Sequence, residues 1–324
     1  PSKVNGTAQY GLDVRLPGML YAALRQCPML GGDLTPVDTK QLEGKPGVDQ
    51  LVMLPAFAGS TAGVAVVARS WWQAQQAALG LKVDWLAPAS GKLDTKIIAE
   101  ALETVARRGG GKTFFSAGNV KDAESFSATT VESLYSAPYL AHATLEPMNC
   151  TARVADGKVD IWAPTQVPQL ARAAAAKVAG VDVEQVTLHQ TLLGGGFGRR
   201  LEVDSVAQAV RIAMATQGKP VQLIWSREED TQHDFYRPMN VALLRAGLDK
   251  NKAVISLRIQ SAGQAIGPHF MHRHFPAMSD SDAPDKATAE GLCDIPYGFG
   301  NQKMSHAESP MGVPVGFWRS VGHS

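Results

Sequence analysis

Gly194-Gly195-Gly196-Phe197-Gly198-Arg199-Arg200 is the stretch whose residue types point most directly to ligand chemistry. Its glycines leave a strand-like run, 186–193, and a helix-like run begins directly after the two arginines. Such a turn lets backbone N–H groups approach a ligand closely. A helix N-terminus, with Arg199 and Arg200 beside it, adds positive potential. An anionic, phosphate-bearing ligand suits this pattern, and so does a tight turn that holds nothing. It is not the dinucleotide fingerprint, because counting GxGxxG from Gly194 places Arg199 at the last glycine position.

Other candidates carry weaker signals. Pro164-Thr165-Gln166-Val167-Pro168 sits where a strand meets a helix, and Gln166 can donate and accept hydrogen bonds without adding charge. His142 and Glu146 would face together only in a helix, which Pro138 and Pro147 disfavour. They read as a locally hydrogen-bonded structural pair. His269, His272 and His274 match no HExxH spacing, and Arg273 opposes a cation, so they read as a polar loop. Gly109-Gly110-Gly111-Lys112-Thr113 lacks the first glycine of a P-loop, since Ala106 stands there, and a helix precedes it where a strand should. These glycines read as a helix stop and hinge. No GxSxG nucleophile elbow occurs.

The elements that must position these residues are those of an α+β chain. Residues 63–68 form a β-rich run, Ser70 caps a helix over 71–79, and Gly80 ends it. A strand is expected over 81–85, then a linker, Ala87-Pro88-Ala89-Ser90-Gly91. Asp94 caps a helix to Arg108 with Ile97, Ile98, Ala101, Leu102 and Val105 on one face. Asp156-Gly157 marks a hairpin between 150–155 and 158–163. Helices follow over 167–179 and 202–216, the second with Val203, Val206, Ala207, Val210, Ala213 and Met214 as its apolar face. A short strand over 221–225 leads into Ser226-Arg227-Glu228-Glu229, a capping box, and 241–248 with 253–262 reads as a long hairpin.

Composition bounds the function. With 324 residues, 45% hydrophobic and 19% charged, the chain can build a core and has the length of about two domains. A net charge of +1 gives no electrostatic reason for a nucleic-acid or anionic-membrane partner. The apolar run 63–68 is far short of the roughly 20 residues a membrane span needs. The start shows no basic n-region followed by an apolar h-region, as would also hold for a trimmed or mature exported chain. Cys27, Cys150 and Cys293 stand far apart, and three thiols cannot alone hold an iron–sulfur cluster. They read as buried free thiols.

Taken in order, the motifs resemble the large subunit of the xanthine dehydrogenase/aldehyde oxidase family of molybdenum hydroxylases. The resemblance rests on the glycine loop, 141–147, Pro164-Thr165-Gln166, 221–225 with Ser226-Arg227-Glu228-Glu229-Asp230, and His233-Asp234-Phe235-Tyr236-Arg237-Pro238. It extends to the closing Gly316-Phe317-Trp318-Arg319-Ser320-Val321-Gly322-His323-Ser324. The double arginine and the Trp-Arg-Ser-Val-Gly form are most similar to the isoquinoline 1-oxidoreductase β-subunit branch. The opening Gly6-Thr7-Ala8-Gln9-Tyr10-Gly11 resembles the family's α/β hammerhead domain.

The resemblance implies hydroxylation of an N-heterocycle or aldehyde with water-derived oxygen, electrons passing through molybdenum to a small 2Fe–2S subunit. It implies a molybdopterin cofactor, in that branch commonly the cytosine dinucleotide form. Gln166 matches the family glutamine near the molybdenum's axial ligand. Gly195, Gly196, Phe197 and Gly198, with Arg199, match the cofactor loop, and Arg319 a later one. Leu201 stands where purine-oxidising relatives carry glutamate, which favours a more apolar substrate. The implied domains are a hammerhead over 1–88, a linker and helix over 89–112, and the first part of a molybdopterin-binding domain over 113–324. The family's general-base glutamate is expected beyond Ser324, so this stretch alone would be inactive. Readings from other classes are a non-catalytic module that keeps the fold without cofactor and a nucleotide-phosphate enzyme using 194–200.

Overall fold

Residues 2–57, 59–89, 91, 93–278 and 285–323 are described by the structure, a computed structural model. Ser90 of the expected linker and Ser324 of the closing motif lie outside them. The chain divides into two compact units, Pro1–Gly91 with His142–Asp234, and Lys92–Ala141 with Phe235–Ser324. Elements are numbered along the whole chain.

The first unit is built on seven strands: β1 (Leu20–Gln26), β3 (Val48–Leu54), β4 (Gly63–Ala68), β8 (Asn149–Ala155), β9 (Lys158–Ala163), β10 (Val186–Gln190) and β11 (Val221–Ile224). Their order is β10-β9-β8-β11-β1-β4-β3. Only β1/β11 and β9/β10 run parallel. Every residue of β4 is buried, as a continuous apolar run requires of a strand covered on both faces. Asp156 and Gly157 both take positive φ, 51° and 70°, the backbone a two-residue hairpin turn demands.

Strands that belong to 1–88 thus share one sheet with strands from 149–224, so the compact units are discontinuous in sequence. The strand expected over 81–85 shrinks to β5 (Trp85–Leu86), paired only with β2 (Asp33–Leu34). Two paired residues leave little ladder to hold a longer strand.

Three longer helices lie on this sheet. In α1 (Trp71–Leu79), the Ser70 side chain accepts from the Gln73 N–H, as expected of its cap. In α4 (Pro168–Ala179), proline fills the first turn and Gly180 closes the end at φ 71°. The third, α5 (Asp204–Ala213), is shorter than expected at both ends and follows a 3-10 turn at residues 199–201. Its burial is also wider than one stripe, since Asp204, Ser205 and Gln208 are buried with the apolar residues. A short helix, α6 (Arg227–Gln232), receives its cap from Ser226, which accepts from the Glu229 N–H.

The second unit carries β6 (Lys112–Ala117), β7 (Thr129–Ala137), β12 (Asn240–Leu248), β13 (Val254–Gly263) and β14 (Gln302–Glu308), ordered β6-β14-β13-β12-β7. β12 and β13 form the expected long hairpin. Helix α2 (Thr95–Arg108), capped by Asp94, packs on β12 and β13. Its buried residues are Ile98, Leu102 and Ala106, while Ile97 is 66% exposed. The apolar face is therefore rotated from the expected one, because the sheet takes Ala106 and leaves Ile97 to solvent. The unit also contains α3 (Val120–Ser125), α7 (Ile266–His274) and α8 (Lys286–Cys293). His269, His272 and His274 lie on α7, a helix rather than the expected loop.

Candidate functional site

Glu146 is the centre from which the glycine turn of the first unit is built. Its backbone N–H donates to the Gly194 carbonyl at 3.0 Å, and its Oε2 accepts from the Gly194 N–H at 2.9 Å. Oε1 accepts from the Leu12 N–H at 3.0 Å. A side chain at position 194 would run into Glu146 Cβ, which is why glycine stands there. The segment around Glu146 is not helical, and His142 bonds elsewhere, so the expected His142–Glu146 pair does not form.

Arg200 ties the turn to its surroundings. Its Nε donates to the Gly195 carbonyl at 2.7 Å, Nη1 to the Pro164 carbonyl at 3.3 Å, and Nη2 to the Glu146 carboxylate at 3.0 Å. Gln166 closes the other side: its N–H donates to the Arg200 carbonyl at 3.0 Å, and its Oε1 accepts from the Gly198 N–H at 3.2 Å. A Cβ at Gly196 would sit 2.7 Å from that same Oε1. The turn needs unusual backbone: Gly195, Phe197 and Gly198 all have positive φ, at 105°, 54° and 112°.

Two consequences follow for binding. The N–H groups of Gly195, Gly196 and Phe197 make no hydrogen bond among the described residues, and neither does the Gln166 amide nitrogen. Gln166 is exposed and Phe197 is 44% exposed, so the carboxamide and an aromatic ring stand at the surface beside the turn, in which Gly195 is half-buried and Gly196 buried. Adjacent backbone N–H groups in a turn of this kind form an anion-binding concavity.

The arginines behave differently from the sequence expectation. Both are about 1% exposed and consumed internally. Arg199 reaches Asp204 Oδ1 and Oδ2 at 3.0 and 2.7 Å and lies 5.4 Å over the Trp225 ring. Burial works against its charge, but Asp204, then Asp234 and Asp230, outweigh burial and raise its pKa above the ordinary value. For Arg200 burial prevails over Glu146 and lowers the pKa. Neither guanidinium is turned toward an external anion. The physical reason is the ring of buried carboxylates, which the local motif did not reveal.

Those carboxylates form a network. Asp234 accepts from the His142 ring at 3.0 Å, and although burial would raise its pKa, His142 and Arg199 hold it below the usual range. Asp230 accepts from the Met148 N–H at 3.2 Å and from Arg227 at 2.6 Å, yet burial pushes its pKa up. Asp204, Asp230 and Asp234 are the site residues that sequence reasoning missed, while Glu146 was considered only as a partner for His142. Their signal was buried acid within six residues of a motif arginine or inside the 226–238 run, which spacing alone cannot separate from solvated charge.

The remaining expected residues are placed as follows. Leu201 is half-buried in the 3-10 turn. Arg319 is exposed and belongs to the second unit. Among the described residues no group of His, Cys, Asp and Glu is arranged to hold a metal ion directly. Cys27 and Cys150 are buried free thiols, while Cys293 is half-buried. No described helix is long and apolar enough to cross a membrane.

This mixed α/β arrangement is the fold of a molybdenum enzyme subunit. It superposes on aldehyde oxidoreductase from Desulfovibrio gigas with a TM-score of 0.74 and 20% identity, covering 99% of this chain and 39% of that one. The model of the molybdopterin cofactor-binding domain matches residues 106–272. The chain belongs to that family, whose members are molybdopterin-dependent oxidoreductases. It is 30% identical, over 99% of its length, to isoquinoline 1-oxidoreductase subunit beta from Brevundimonas diminuta. Over 81% of its length it is 32% identical to a membrane-bound aldehyde dehydrogenase (pyrroloquinoline-quinone) from Gluconacetobacter polyoxogenes. The chain spans 41% and 34% of those relatives.

Proposed function

We propose that the turn 194–198 and Gln166 hold the phosphate-bearing part and metal end of a molybdopterin cofactor in a molybdenum hydroxylase. One observation carries this reading: the N–H groups of Gly195, Gly196 and Phe197 have no acceptor among the described residues, beside an exposed Gln166 amide. The donor set suits the group, because backbone amides and a neutral carboxamide bind anionic oxygens without a buried charge to neutralise. Bound there, the cofactor supplies two-electron transfer coupled to oxygen transfer from water.

In this reading Gln166 orients an oxygen ligand by donating from its amide nitrogen, and Phe197 shields the turn from water. Arg199 and Arg200 hold the turn from beneath rather than touching the cofactor. Arg319 and the hammerhead over 1–88 enter on the sequence resemblance alone, as do the cytosine dinucleotide form and electron transfer to a small 2Fe–2S subunit. Leu201 favours an N-heterocycle of isoquinoline type or an aldehyde over a purine.

The test is chemical analysis of the protein purified with its native partners. The expected result is molybdenum and an oxidised pterin in equal amounts, with cytidine monophosphate released on hydrolysis. Release of pyrroloquinoline quinone or of an ordinary dinucleotide, with no pterin, would overturn the reading. A folded protein with no cofactor at all would make it a non-catalytic module.

A further inference from the structure

We propose that Glu146 is the positioning residue of the glycine turn, fixing through Gly194 and Arg200 the direction in which the N–H groups of residues 195–197 point. The proposal rests on the cofactor reading above for its purpose, but its geometry stands by itself. Glu146 is 93% removed from solvent and meets the turn by three routes. Its main chain and its carboxylate both bond Gly194, which fixes where the turn enters. Its carboxylate and carbonyl both accept from Arg200 Nη2, at 3.0 and 2.9 Å. Arg200 in turn grips the Gly195 carbonyl at 2.7 Å, so the peptide whose N–H belongs to Gly196 is held by its oxygen. A peptide is planar, so fixing that oxygen fixes the opposite direction of the Gly196 N–H.

The arrangement also reaches Gln166. The Arg200 carbonyl accepts from the Gln166 N–H, and the Gln166 side chain accepts from Gly198. The turn is thereby held at its entry by Glu146, in its middle by Arg200 and at its exit by Gln166. Only the first of these brings a buried negative charge, and that charge is what keeps the buried Arg200 guanidinium in place. The Glu146 carboxylate spends Oε2 on both the Gly194 N–H and Arg200, and Oε1 on the Leu12 N–H.

Two variants separate positioning from charge balance. Glu146→Gln removes the charge and leaves Arg200 unmatched, while Glu146→Gln with Arg200→Met removes both charges together. Replacing both members of a buried pair by apolar or neutral groups restores stability more readily than removing one. Amide hydrogen exchange of the protein reads the turn, thermal unfolding reads the fold, and pterin per folded subunit reads the site. In Glu146→Gln the exchange of Gly194 and Gly198 should rise at least tenfold, with the amides of β8 and β11 unchanged. Pterin content should fall at least fivefold. In the double variant the melting temperature should recover while exchange at Gly194, whose N–H bonds Glu146 and not Arg200, stays fast. Unchanged exchange at Gly194 and Gly198 in Glu146→Gln, or full recovery of both readouts in the double variant, would reduce Glu146 to a counter-ion. Pterin absent from the parent protein would instead overturn the cofactor reading, and the exchange result would still decide the role of Glu146.

Discussion

Arg199 Nε stands 3.0 Å from Asp234 Oδ1, with both side chains about 1% exposed. Together with Asp204 on its other edge, this leaves the guanidinium surrounded by carboxylate oxygen. The positive charge that the sequence offers to a ligand at this turn is thus neutralised inside the protein. What remains without a partner among the described residues is backbone N–H and carboxamide, a weaker field than two arginines but one that leaves no buried charge exposed.

Arg199→Met should therefore act on folding. It leaves Asp204 and Asp234 buried without their shared counter-ion, and breaking a buried pair from one side costs about 3–5 kcal/mol. Urea unfolding at neutral pH should show a loss of that order. A loss below about 1 kcal/mol would mean that water reaches this pair.

His233 gives the fold a pH dependence of predictable sign. Its Nδ1 lies 3.0 Å from Glu229 Oε2 and its Nε2 lies 2.9 Å from the Cys27 carbonyl. Both partners only accept, so the doubly protonated ring is the form they favour. Burial lowers its pKa, but the Glu229 hydrogen bond and charge, with the Cys27 carbonyl, raise it above the ordinary value overall. A base whose folded pKa is raised contributes stability fully below its unfolded pKa of about 6.5 and loses it as pH rises through the folded value. Stability measured from pH 6 upward should fall in the parent, and that slope should vanish in His233→Gln.

His306 works in the opposite direction. It is buried, its Nδ1 lies 2.8 Å from Ser261 Oγ, and burial pushes its pKa down to about 4. The unfolded chain then binds the proton first as pH falls from about 6.5. Stability should drop between pH 6.5 and 4 by about 3 kcal/mol, at roughly 1.4 kcal/mol per unit, and level off below. Acid titrations of the parent and His306→Gln, followed by circular dichroism, should diverge over that window. Parallel curves would show that solvent reaches the ring.

Gln166→Ala should separate site from scaffold. The side chain is exposed and accepts a single hydrogen bond, from Gly198, so thermal unfolding should shift little. In the cofactor-loaded enzyme, losing a hydrogen bond to a charged group costs about 1.5–3 kcal/mol. Turnover at full molybdenum occupancy should fall by roughly tenfold or more. Unchanged turnover at that occupancy would remove Gln166 from the site.

Local signals in the sequence were legible wherever one or two residues decide the backbone. Ser70, Asp94 and Ser226 cap the helices assigned to them, and Asp156-Gly157 makes its hairpin turn. The unusual backbone of the glycine turn was legible for the same reason, since glycine marks backbone that other residues avoid, whereas Gln166 was singled out chiefly by the family resemblance. What sequence could not give is set by partners distant along the chain. Asp234 lies far from Arg199 in sequence yet turns it inward, β1 finds β11 about 200 residues on, and Ile97 is left exposed by the sheet that takes Ala106. Periodicity reports which residues are apolar, not which side the rest of the molecule will cover.

The glycine turn offers the sharpest test of binding against folding. Gly198 has φ 112° and ψ −28°, a conformation that L side chains rarely adopt, and its N–H donates to Gln166. A β-branched residue there costs about 1–2 kcal/mol for the backbone alone. Gly198→Val should therefore lower the melting temperature by a few degrees and still give folded protein. If the turn holds the cofactor, the strained valine also pulls the Gly198 N–H from Gln166 and displaces the neighbouring amides. Pterin per folded subunit should then fall far more steeply than the folded fraction. Measuring both quantities on the same preparation resolves the question. A variant that melts earlier but keeps one pterin per folded subunit would make residues 194–198 an ordinary tight turn and place the cofactor elsewhere.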